Sequence, residues 1–227
     1  MDKPGVLALV GGGEWTDGCT FDAGLLAASG GTDVLILPTA AAYQHPERVV
    51  LQAAGWFGDL GAAVEGLMVV DRASAEDPGM AAAVRAARFI YLAGGSPLHL
   101  KAVLKKSATF EALREAWAGG AVVAGSAAGA MVLTDPMVDP RGGALTLGLG
   151  LVEHLAVVPH HGDETDDQHG QKWERTVAMA PDTLPVVGIP ARTALIRDPA
   201  GGWSYEGAEP PVVFIGGARS DGLGALD

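Results

Sequence analysis

The stretch VVAGSAAGAM, residues 122–131, decides the fold. A β-branched run breaks into Gly, Ser, Ala, Ala, Gly. That is the outline of a nucleophile elbow, in which a strand turns sharply into a helix and holds one side chain up at the turn. With Gly125 and Gly129 as the two glycines of a GxSxG pattern, the presented position is Ala127, so a methyl group stands where the pattern carries a hydroxyl. Ser126 is a poor replacement, because neighbouring side chains at a strand end point to opposite sides. Alone, the motif also fits a small-residue turn with no chemistry.

Working outward, short apolar runs recur: VLALV (6–10), DVLILPT (33–39), LMVVD (67–71), RFIYLAGG (88–95), AVVAG (121–125), LAVVPH (155–160) and PVVGIP (185–190). Runs apolar on both faces are those of parallel strands covered on both sides. The segments between them read as helices: one from Pro46 to the residue before Gly58, one from Ser96 and Pro97 (PLHLKAVLKK), one from Ser107, and one over 168–180. This alternation predicts a doubly wound, mostly parallel α/β sheet with helices on both faces and active loops at the carboxyl ends of the strands. At the end of the chain TALIRD, GWSYEG and PVVFIG follow one another across Gly/Pro turns with no helix between, which predicts antiparallel strands at the C-terminal edge. There is no repeat, charge block or linker, so 1–227 reads as one domain.

Composition narrows the function classes. With 227 residues, 48% hydrophobic and 19% charged, the chain can bury a good-sized core. Its net charge of −12 has the wrong sign for attraction to phosphate backbones, so no nucleic acid is expected. The single Cys19 excludes an internal disulfide, and MDKPGVLALVGGG is too short in apolar residues for a signal peptide, so a cytoplasmic location is expected. The uncharged stretch 117–133 is mostly Ala and Gly and is interrupted at the elbow. It reads as a buried strand and helix, not a membrane span.

Three further stretches could carry chemistry. LAGGSP (92–97) places two glycines before a helix N-terminus, where backbone N–H groups can stabilise an anion, although an ordinary βα turn looks the same. GGG at 11–13 is equally suggestive of an anion site, but it does not continue as GxGxxG or GK[ST], which argues against a nucleotide. AVVPHHGDETDDQH (156–169) ends a strand with two histidines, and a His there is where a general base for acyl transfer belongs. The rival reading is a metal site of His160, His161, Asp163, Asp167 and His169, but the spacing matches no tight ligand pattern and acid-rich loops are usually just solvated. No metal or other cofactor is expected. His45, His99 and His154 have no distinguishing context.

In this order, the AGG turn, the elbow, the PH strand end and a late GIPARTAL turn resemble the serine peptidase family of peptidase E and cyanophycinase, which has the class I glutamine amidotransferase-like fold. The resemblance covers nearly the whole chain and implies a Ser-His-Glu type triad. It places the nucleophile on Ala127, the base on His160 and the acid on Ala191, with an oxyanion hole from Ala128 and from Gly94 or Gly95. Two of three triad positions are therefore alanine. Losing the serine alone costs on the order of 10⁶ in kcat in triad hydrolases, so the chain is expected to be inactive by this route. Asp135, Asp139, Asp163 or Glu164 are alternative acids. The resemblance implies short Asp-containing peptides as substrates, with Arg141, Arg175 or Arg192 holding a substrate carboxylate. It leaves two readings: a hydrolase scaffold without its nucleophile, or a pseudoenzyme that binds a small acidic or peptide-like ligand. Relatives include monomers, and a homodimer is equally open.

Overall fold

The computed structural model describes residues 3–162 and 167–226. The chain opens with β1 (Leu7–Val10), α1 (Phe21–Ser29), β2 (Asp33–Leu37), α2 (Pro46–Asp59) and β3 (Ala63–Gly66). It continues through α3 (Arg72–Ala75), α4 (Pro78–Ala86), β4 (Phe89–Leu92), α5 (Pro97–Leu104), α6 (Ala108–Ala118), β5 (Val122–Ser126) and α7 (Ala128–Leu133). Helix starts follow their caps. Ser96 accepts the His99 N–H, Ser107 accepts the Phe110 N–H, and Asp77 accepts from Gly79 and Met80, with Pro97 and Pro78 at the first helical positions.

After α7 come two short ladders, β6 (Thr134–Asp135) with β9 (Val152–Glu153) and β7 (Met137–Val138) with β8 (Leu145–Thr146). Then follow β10 (Ala156–Pro159), α8 (Asp167–Met179), β11 (Val186–Ile189), β12 (Thr193–Arg197), β13 (Trp203–Gly207), β14 (Val212–Ile215) and β15 (Ala218–Ser220).

Seven strands form the main sheet in the order β13-β12-β1-β5-β4-β2-β3. Its core strands are parallel, and β12 and β13 add antiparallel at one edge, as the Gly/Pro-separated C-terminal runs predict. The period of two splits each strand between two cores. Leu7, Leu9, Ile90, Leu92 and Val123 face one, and Ala8, Val10, Phe89, Tyr91 and Val122 face the other. That two-sided burial is why these runs are continuously apolar.

Two expectations need correction. LMVVD is not a strand: the edge strand is β3, immediately before it. Leu67 N–H still reaches Ile36 O at 2.9 Å, but Val69 N–H turns back onto Leu67 O at 2.7 Å, which ends the ladder. The runs at 155–160 and 185–190 form strands, but in a second, four-stranded sheet of order β10-β11-β14-β15, and the last of the C-terminal runs joins it there.

No helix among the described residues is long and apolar enough to cross a membrane. The uncharged stretch 117–133 is divided among the end of α6, β5 and α7. In the main sheet Val10 pairs with Ser126, Leu92 with Gly125 and Leu37 with Leu92, so the loops that follow β1, β2, β4 and β5 share one rim.

Candidate active site

Ala127 sits between β5 and α7 at φ 45°, ψ −102°, a conformation rarely adopted by a residue with a Cβ. Such a residue costs on the order of 1–3 kcal/mol and persists only where its surroundings force it. Here the surroundings are tight. A Cβ on Gly129 would stand 2.5 Å from the Leu92 carbonyl oxygen, and one on Gly125 would stand 2.7 Å from the Gly129 carbonyl carbon. The strand and helix therefore close to a distance only glycine permits, and the residue between them is pushed up at the bend. Ala127 is half-buried while every other residue from 121 to 133 is buried.

The end of β1 pins the remaining segments to this bend. Val10 O accepts the Ala127 N–H at 2.9 Å, Gly11 O accepts the His160 N–H at 2.7 Å, and Gly12 O accepts the Arg192 N–H at 2.7 Å. Three successive carbonyls thus hold three segments that are far apart in sequence. The His160 ring packs against Gly12, where a Cβ would come within 2.1 Å of its Cε1. A Cβ on Gly13 would approach Ala191 Cβ at 3.6 Å and Arg192 Cγ at 3.2 Å. Positions 127, 160 and 191 are therefore gathered around residues 10–13.

The AGG turn completes the rim, with one residue that sequence reasoning missed. Gly94 N–H donates to Glu14 Oε1 at 2.9 Å, and Ser126 Oγ donates to Glu14 Oε2 at 2.7 Å. The buried Ser126 hydroxyl is thus engaged away from the bend. Gly94 spends its N–H on a carboxylate, whereas Gly95, at φ 138°, leads into α5 with the Ser96 N–H on Ala40 O. The Ala128 N–H opens the first turn of α7, where helix amides have no partner within the helix.

A family-level sequence pattern covering residues 7–200 matches peptidase family S51. The chain belongs to peptidase family S51. It is also 31% identical over 143 residues to the cyanophycinases of Synechococcus elongatus and Thermosynechococcus vestitus. That match takes in 58% of this chain and 44% of theirs, so it spans less than half the length of those relatives. A solved peptidase from an acI-B1 Actinobacterium superposes with a TM-score of 0.83 at 26% identity, over 98% of this chain and 96% of the other. A peptidase E candidate from Listeria monocytogenes EGD-e shares the fold, with a TM-score of 0.65 at 17% identity over 93% and 98% of the two chains.

Within this S51 hydrolase scaffold the remaining expected residues separate. Of the three arginines, Arg192 packs on the glycine loop, its Cγ and Cδ against Gly13 and Gly18. Arg141 is taken up by Asp139, whose carboxyl its guanidinium holds down at about 2. Arg175 lies exposed along α8 with its Nε toward Met179 Sδ. Of the alternative acids, Asp135 accepts the Gly148 N–H at 2.9 Å and Asp139 is paired as described, while Asp163 and Glu164 lie outside the described residues.

Of the rival metal set, the two described histidines, His160 and His161, have different surroundings. The His161 ring packs at a tilt against Trp173, centroids 4.5 Å apart, and lies against Gly188, with burial and then Arg219 lowering its pKa. Asp163 and the side chains of Asp167 and His169 lie outside the described residues. Among the described residues no group of three His, Cys, Asp or Glu could hold an ion. His99 bonds Val70 O, His45 contacts Glu47, and His154 is exposed.

Beside the site, Asp22 is fully buried and accepts the Trp56 indole N–H at 2.9 Å. Burial raises its pKa to about 7 against the opposing Trp56 bond, with Glu14 and Glu206 adding to the rise.

Proposed function

We propose that this chain binds short Asp-containing peptides over the Ala127 bend and, as spelled, does not cleave them by covalent acyl transfer. The observation that carries the reading is the pinning of positions 127, 160 and 191–192 by the Val10, Gly11 and Gly12 carbonyls, with methyl groups at 127 and 191. The bend keeps its strained conformation although nothing at its tip can attack. In the intact arrangement a serine at 127 would attack the scissile carbonyl and His160 would take its proton and return it to the leaving amine. The Ala128 and Gly95 amides would face the oxyanion, and Arg192 would hold the substrate carboxylate.

Binding and orientation survive the loss of the nucleophile, because backbone amides and Arg192 supply them. Bond cleavage does not survive it. Ala127→Ser should restore detectable hydrolysis of Asp-containing dipeptides, and adding Ala191→Glu should raise it further by orienting His160. A folded double variant that releases no free Asp would refute the assignment of these positions. Tight binding of such dipeptides by the unaltered chain, without release of product, is the expected companion result.

A further inference from the structure

We propose that Glu14 is a specificity-determining residue of this site, taking the free α-ammonium group of the substrate's first residue. The inference rests on the reading of the Ala127 bend as the peptide site. Its own support lies in how Glu14 is held.

The carboxylate is fixed by two anchors that are remote in sequence, the Gly94 amide on Oε1 and the Ser126 hydroxyl on Oε2. Each anchor takes one acceptor position, and a carboxylate offers about four, so capacity for two more donors remains. Glu14 is half-buried, and among the described residues no Lys, Arg or His pairs with it. Its neighbour Asp22 adds no positive charge. A partly desolvated carboxylate in such surroundings favours a cation brought in by the ligand.

The position selects which cation. A methyl placed on Gly94 would touch Glu14 Oε1 at 2.8 Å and the Ala127 methyl at 3.5 Å, so the carboxylate and the tip of the bend border one small space. The reacting carbonyl carbon of a bound peptide must lie over that tip. An α-ammonium is two bonds from the carbonyl carbon of its own residue, whereas a lysine or arginine head group lies at the end of a long side chain. Only the α-ammonium reaches Glu14 while its own carbonyl stays over Ala127. Arg192, packed against Gly13 and Gly18, is then left for an acidic side chain of the same residue.

The test is calorimetric titration of the unaltered chain, which binds without turnover, with the dipeptide Asp-Ala and with N-acetyl-Asp-Ala. The free dipeptide should bind about tenfold more tightly or better, the contribution of a hydrogen-bonded charge pair. Glu14→Gln, checked for folding by its thermal melt, should bring the two ligands to within about twofold of each other, by the same reasoning. Equal binding of both peptides to the unaltered chain would overturn the role of Glu14 and leave the peptide-site reading standing. No binding of either would overturn both.

Discussion

Asp22 gives the sharpest quantitative handle on this structure. Its carboxyl is buried to zero exposure, one oxygen is met by the Trp56 indole, and the other has no hydrogen-bond partner among the described residues. Burial lifts its pKa from 3.8 to about 7. The folded chain therefore keeps a proton that the unfolded chain releases near pH 4. The stabilisation this gives is full below pH 4, is lost as pH rises through 7, and does not change further above that. A gap of about three pH units at about 1.4 kcal/mol each makes the whole effect roughly 4 kcal/mol.

Asp22→Asn keeps an acceptor for Trp56 and removes the titration. Urea unfolding followed by tryptophan fluorescence, run on both proteins from pH 5 to pH 8, should show the variant gaining about 2 kcal/mol relative to the parent between pH 5 and pH 7, then levelling off by pH 8. Parallel stability curves for the two proteins across that range would refute the assignment of a neutral, buried acid at position 22.

Other expectations follow from the bend and its surroundings. Ala127→Gly relieves the positive φ at the cost of added freedom in the unfolded chain, for a net gain of about 1 kcal/mol and a rise of about 2–4 °C in Tm, read by calorimetry. Gly129→Ala forces a methyl against the Leu92 carbonyl and should cost at least about 3 kcal/mol in urea unfolding. Gly12→Ala displaces the His160 ring, and in an Ala127→Ser background it should abolish the restored hydrolysis while the near-UV spectrum stays native. Arg141→Ala should return the Asp139 carboxyl toward its ordinary range by NMR titration. It should change stability by less than about 1 kcal/mol, since the Arg141 side chain is largely exposed, and leave dipeptide binding unaltered.

What was legible in the sequence follows from where the chain is constrained. β1, β4 and β5 read correctly because burial on both faces leaves only apolar residues in the run. The edge strand β3 misled for the opposite reason. Its residues, AVEG, are exposed or half-buried, so the apolar peak falls on the following segment, where Leu67 and Val69 dip into the core after the ladder has ended. Nothing in LAVVPH or PVVGIP states which sheet they enter, because their pairing partners are fixed by contacts remote in sequence. The bend was legible from its two glycines. Glu14 was not, although an acid directly after the glycine run of β1 was the available signal: its partners lie 80 and 112 residues away. The three arginines were indistinguishable by composition, and only packing on Gly13 and Gly18 sets Arg192 apart.

Three main-chain hydrogen bonds tie the end of β1 to the segments around it without using the side chains at 127 or 191, so these bonds do not depend on which side chains stand there. A lineage can erase its reactive atoms there without paying in foldedness, and an engineer can treat both positions as open sockets. A cysteine or a carboxylate can be seated there without touching those three main-chain bonds.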